Sequence, residues 1–269
     1  MMRALAVFLA LGCLFAADEV AERRQALERE LSEKDSPLSL VARRTMGRGT
    51  TRIEAGDLAP LRVPPVQVEW DGKTAALVGK TRQTLETRPD NNGIVRVDEG
   101  PVTVALHWSG KTGELFARIY DQEAPKKKPF PARVWYPVDA RFRIEAEWRP
   151  FPEVETYTVS RADGTKADYP SPGQAVFRMD GKTVSLRALR LPDGRLFLPF
   201  KDQTAPRETY GAGRFLYAKA PAGGKVILDF NMANNPNCAF SPYWSCVLPP
   251  KENVLPVRIP AGEKNWPGL

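Results

Sequence analysis

RFRIEAEW, residues 141–148, alternates without a break: Phe142, Ile144, Ala146 and Trp148 fall on one side, Arg141, Arg143, Glu145 and Glu147 on the other. A side-chain period of two with one apolar face is the pattern of a β-strand that packs on a core and shows its other face to water. The same period extends outward in both directions. Downstream, AVFRM and TVSLRALRL flank Asp180-Gly181; upstream, VQVEW and AALVGK flank Asp71-Gly72, and each Asp-Gly pair is a hairpin turn signal. Further turn signals stand at Asn92-Gly93, Ser109-Gly110, Asp163-Gly164 and Asp193-Gly194. Short strands broken by such turns predict an all-β fold, an antiparallel sandwich or barrel-like body from about Val66 to Ile259.

The totals agree with this reading. The chain has 269 residues, enough for one large β body or two packed β units, and its 25 Pro and 20 Gly favour turns over long helices. The exception precedes the strands. DEVAERRQALERELSEKDSP is rich in helix formers up to Pro37, with Val20, Leu27 and Leu31 at helical spacing, and predicts one amphipathic helix over 18–36. From about Leu38 the period becomes two. The turn-rich Pro125–Pro137 stretch marks a seam between an N-terminal β unit at 38–124 and a C-terminal one at 125–269.

Ahead of the helix, MMRALAVFLALGCLFAADEV places one Arg before an uncharged apolar run from Ala4 to Ala17. That is the layout of a signal peptide over 1–17, and the run is short for a membrane span of about 20 residues. The expectation is an exported protein, periplasmic or extracellular, with no transmembrane segment in the mature chain. Cleavage after Ala16 or Ala17 is one route, and lipid attachment at Cys13 is the other. With Cys13 removed, Cys238 and Cys246 remain as an even pair that an oxidising compartment lets close into a disulfide.

Charge and ligand chemistry narrow the classes. The formal net charge is +7, but the basic residues are scattered, and their one run, Lys126–Lys128, lies between prolines as a solvated loop. No nucleic-acid-binding signature accompanies them, so no nucleic-acid partner is expected. Two cysteines and the single His107 do not make a four-ligand zinc site, and no metal or cofactor is expected. His107 sits in VTVALHW, an apolar strand, without a nucleophile elbow or a metal-binding His pair elsewhere.

The densest concentration of unusual residues lies near the C-terminus, in ETYGAGRFLYAK, KVILDFN and the loop from Asp229 to Pro250. Alternation along KVILDFN puts Asp229 beside Ile227 and Asn231. A carboxylate there is either held by Arg and amide donors, with Arg214 the nearest candidate, or fixes the loop backbone through Asx-type bonds. ETYGAGRFLY followed by LDFNMANNPNCAFSPYWSCVLPPKENVLPVRIPAGEK resembles the terminal signature of the bacterial domain-of-unknown-function family 1684, over Glu208–Lys264. LFLPFKDQT and FARIYDQEAP resemble further parts of it. Asn234 stands where the family usually has Tyr, Met232 where it has Arg, and Trp244 where Ala is common, changes that reshape any pocket built there. The resemblance implies an all-β protein, often exported, and no established activity.

Two functions fit these residues. The first is a binding or accessory module of the cell envelope, its small-molecule or glycan site built from Arg214, Asp229, Asn231, Asn235 and Asn253 with the rings of Phe240, Tyr243 and Trp244. The second is a glycoside-type hydrolase that pairs Asp229 with Glu208, Asp202 or Asp121.

Overall fold

The computed structural model describes residues 18–53, 66–110, 112–127, 130 and 132–266; the apolar run and Cys13 lie outside these, as do the side chains of the lysine run. Among the described residues the chain is mostly β, with three antiparallel sheets and one principal helix, α1, over 18–31. It divides into two compact units. One comprises Glu30–Pro131 with Ser241–Trp244; the other comprises the chain up to Arg29, Ala132–Phe240 and Ser245 to the C-terminus.

In the first unit, β1 (Leu40–Thr45), β6 (Asn92–Glu99), β7 (Val102–Ser109) and β8 (Glu114–Asp121) form a sheet in the order β1-β8-β7-β6. A second sheet, β2-β3-β4-β5, joins β2 (Gly49–Ile53), β3 (Val66–Trp70), β4 (Thr74–Val78) and β5 (Arg82–Glu86). Alternate residues of both sheets, among them Ile53, Val68, Leu77, Val104, Leu106 and Ile119, bury into one core. Asn92-Gly93 is not a turn: it opens β6, and the reversal before it is made by residues 87–91.

The second unit is a six-stranded sheet, β13-β12-β11-β10-β9-β14, curled into a half-barrel. Its spine is the hairpin of β9 (Arg143–Ser160) and β10 (Lys166–Met179), and β11 (Lys182–Arg190) follows through a two-residue turn. In that turn Asp180 and Gly181 have φ of 49° and 75°, the left-handed pair that suits a tight hairpin. The sheet is completed by β12 (Leu196–Phe200), β13 (Arg214–Ala218) and β14 (Lys225–Asp229). Ala146 is fully buried in the core, and Phe142, Ile144 and Trp148 pack against it, as their alternation requires.

β13 and β14 do not pair with each other. β13 pairs with β12 and β14 with β9, so they are the two edges of the sheet, and Arg214–Phe230 is not a hairpin although its two strands are consecutive in the chain. The last ladder strand ends at Asp229, before the expected Ile259. Beyond it the chain runs through short 3-10 turns and single bridges, Phe215↔Asn234, Lys201↔Val254 and Trp135↔Glu263. Leu255, Val257, Ile259 and Ala261 still bury at every second position. Pro256 and Pro260 lack the N–H that a ladder would use, so this stretch keeps a strand's burial period without a strand's hydrogen bonds.

Candidate functional site

Arg214 opens β13 opposite Phe200, and its side chain is 1% exposed. Its Nη2 donates to Asp202 Oδ1 at 3.0 Å and to the Ile259 carbonyl at 3.0 Å, while Nη1 donates to the carbonyls of Ala261 and Glu263. Asp202 in turn accepts from Ile259 N at 2.7 Å and from Thr204 N and Oγ1. Burial lowers the Arg214 pKa and the Asp202 charge opposes that shift. Arg214 therefore holds Asp202, not Asp229. The reason is topological: β13 pairs with β12, which leads directly into Asp202, whereas β14 pairs with β9, which sets Asp229 opposite Arg143.

Asp229 ends β14 directly opposite Arg143 of β9, whose Nε lies 3.7 Å from Asp229 Oδ2. Its Oδ1 accepts from Asn231 N at 3.0 Å and from Asn231 Nδ2 at 2.9 Å, capping the 3-10 turn Phe230–Met232. Burial raises the Asp229 pKa, and the Asn231 bonds and Arg143 pull it back. Asn231 is itself clamped: its Oδ1 accepts from Asp139 N and its Nδ2 also donates to Asp139 O. Both sequence alternatives for Asp229 are thus realised in one residue, with Arg143 as the guanidinium.

A third cluster centres on Glu263. Arg133 Nη1 donates to both of its carboxylate oxygens, at 3.0 and 2.9 Å, and Asn235 N donates to Oε2 at 2.8 Å. Burial raises the Glu263 pKa to about 7 against the pull of Arg133 and Asn235. The Arg133 guanidinium also lies over the Phe240 ring, 4.5 Å from its centroid. Asn235 Nδ2 donates to the Lys264 carbonyl, while the Oδ1 atoms of Asn234 and Asn235 are buried without a protein hydrogen-bond partner.

The remaining expected residues are placed elsewhere. Asn253, fully buried, spends its amide on the backbone: Oδ1 accepts from Arg187 N, and Nδ2 donates to the carbonyls of Arg187 and Pro199. Tyr243 and Trp244 belong to the other unit. Trp244 packs there with Leu40, Ala105 and Tyr120, under the Arg118 guanidinium at 3.9 Å, and Tyr243 is exposed. Asp121 is buried at the end of β8 in that same unit and accepts from Glu123 N. Glu208 accepts from Tyr136 Oη at 2.8 Å and from Arg258 at 2.7 Å. His107 stacks on Phe116, and burial with the charges of Arg118, Arg96 and Arg43 pushes its pKa down to about 3.

Cys238 and Cys246 are free thiols, and the expected disulfide is not formed. They are nevertheless neighbours: Cys238 N donates to Cys246 Sγ at 3.2 Å. A hydrogen bond from the Cys246 thiol, with that from the Tyr210 hydroxyl, lowers the Cys238 pKa, while the Cys238 side chain and burial raise that of Cys246.

Sequence reasoning missed Arg24, Arg133, Trp135 and Tyr136. Arg24, on α1, donates through Nη2 to the carbonyls of Tyr136 at 3.1 Å and Asn231 at 3.2 Å. Its Cζ lies 4.7 Å from the centroid of the Trp135 ring. On the same helix face, Glu28 Oε1 accepts from Arg133 N at 3.0 Å. The available signal was the cluster of Arg, Trp and Tyr in RVWYP just before the first long strand, far in sequence from the signature it meets.

The fold and these clusters define an all-β protein whose C-terminal unit is closed by buried arginine–carboxylate pairs. The chain belongs to the family described as "Protein of unknown function (DUF1684)", whose sequence profile matches residues 128–264. Among solved structures it is similar to the solution NMR structure of an uncharacterized protein of Haloarcula marismortui, at 30% identity. That alignment covers 51% of this chain and 78% of the other, with a TM-score of 0.44. No curated protein matches the chain.

Proposed function

We propose that this protein is an exported binding or accessory module of the cell envelope, with its site at the head of the Asp229–Pro250 loop, and not a hydrolase. The observation that carries this reading is the state of the acids around the signature. Asp202 is held by Arg214, Glu263 by Arg133, Glu208 by Arg258 and Tyr136, and Asp229 by Arg143 and Asn231. A carboxylate pair that exchanges protons with a substrate needs at least one group whose lone pairs face the reacting atoms. Acids committed to guanidinium and amide donors serve instead as fixed acceptors, the few convergent polar groups of a binding site.

Export is supported by the apolar run behind Arg3; Cys238 and Cys246, free thiols in this structure, are in contact and are the pair an oxidising compartment would close. Non-reducing peptide mapping of protein recovered from the envelope is expected to find Cys238 linked to Cys246; two free thiols would remove that support.

Asp229→Asn tests the site. The substitution keeps an oxygen for the two Asn231 donors and removes a charge that burial disfavours, so stability should stay within about 1 kcal/mol of wild type. Ligand retention in a metabolite and glycan screen, read by thermal shift, should be lost. A variant that melts well below wild type with retention intact would make Asp229 architecture alone.

A further inference from the structure

The groups that surround the Arg24 guanidinium form a receptor in their own right. Trp135 offers a ring face, Tyr136 and Asn231 offer two carbonyl oxygens, and Asp229 supplies negative charge that favours the ionised arginine. A planar cation with several N–H donors is the ligand this set fits: its face stacks on the indole while its edge reaches the carbonyls. An ammonium is a compact point charge and cannot make both contacts in the same way.

These groups are held by the body of the C-terminal unit and not by the helix. Tyr136 N donates to the Gly262 carbonyl, Trp135 bridges to Glu263, and the Asn231 side chain is fixed by Asp139 and Asp229. All four receptor residues lie inside the stretch that matches the family, residues 128–264, whereas Arg24 lies far ahead of it. The occupant is also imperfectly matched, because the Arg24 Nε–H is buried without an acceptor. Burial of Arg24 pulls its pKa down, a cost only partly offset by Asp229.

We infer that Trp135, Tyr136, Asn231 and Asp229 form a guanidinium-binding site, occupied in this chain by Arg24 of its own N-terminal helix, and that displacement of the helix opens it to an arginine side chain or a small guanidinium compound. The inference rests on the reading of this unit as a binding module and names the ligand class of that site. The helix then acts as an internal competitor. A preorganised receptor lowers the cost of binding a rigid planar cation, so a free ligand need only outcompete one tethered side chain.

The test uses the full chain with Arg24→Ala. Val20 and Leu27, both buried, and the Glu28–Arg133 bond remain to keep the helix docked. Ethylguanidinium should raise the melting temperature of the variant and shift the amide signals of residues 135–139 and 229–232 saturably, with half-saturation in about the millimolar range expected of so small a contact set. Ethylammonium should do neither. Wild type should show no saturable response, and Arg24→Ala combined with Asp229→Asn should lose it. An Arg24→Ala chain that is folded yet unresponsive, or that responds equally to ethylammonium, overturns the inference. If Arg24→Ala unfolds, Arg24→Lys is titrated instead, with the same expected response and the same refuting result. A ligand found in the open screen while ethylguanidinium fails would refute the guanidinium assignment alone; failure of both would refute the binding reading.

Discussion

Replacing Arg214 by Met should cost more stability than any other single polar substitution in the signature. Met keeps much of the aliphatic volume but removes the charge, leaving Asp202 buried without a counterion and the Ala261 carbonyl without its Arg214 donor. Breaking a buried ion pair from one side costs about 3–5 kcal/mol, chiefly because the orphaned charge stays desolvated. At about 2–4 °C per kcal/mol for a unit of this size, the melting temperature should fall by roughly 6–20 °C. Urea unfolding followed by tryptophan fluorescence measures the free energy. The companion is Asp202→Asn, alone and combined with Arg214→Met. Neutralising Asp202 removes the unpaired charge, so the double variant should lose less than the sum of the singles by at least about 1 kcal/mol. A loss under about 1 kcal/mol for Arg214→Met, or strict additivity in the double variant, would mean that the pair does not hold the C-terminal segment.

Gly213→Ala should destabilise by on the order of 2–3 kcal/mol. Its φ is 99°, and an added Cβ would stand 2.6 Å from the Phe200 carbonyl and 2.7 Å from Pro249 Cγ; unchanged urea stability would refute this packing. Glu263 predicts a pH dependence of definite sign. Its folded pKa, about 7, lies above the ordinary value of 4.5, so the folded chain binds this proton more tightly than the unfolded chain. The contribution to stability is therefore complete below about pH 4.5 and is lost as pH rises toward about 7. Between pH 5 and 7.5 wild type should lose more stability than Glu263→Gln; equal slopes in urea unfolding would place the Glu263 pKa near its ordinary value.

What the sequence determined by itself is the local part. Alternation in RFRIEAEW predicted which side chains would enter the core, because a strand's side-chain period is a property of its own backbone. Asp180-Gly181 predicted its hairpin because left-handed φ values are a matter of local sterics. Asn92-Gly93 carried the same dipeptide signal and became the start of a strand, since the flanking register overruled it. The resemblance in Glu208–Lys264 identified the family for the same kind of reason, being a linear pattern. Which carboxylate each arginine meets was decided only by the tertiary structure. Arg214 is near Asp229 in the chain yet pairs with Asp202, and Asp229 meets Arg143 from a strand far upstream, because strand order sets who is a neighbour. Arg24 carries no periodic or motif signal, and Trp135 only the local density of RVWYP. Their meeting depends on helix docking against a curled sheet, and burial, which turns such contacts into shifted pKa values and held acids, exists only once the chain has folded.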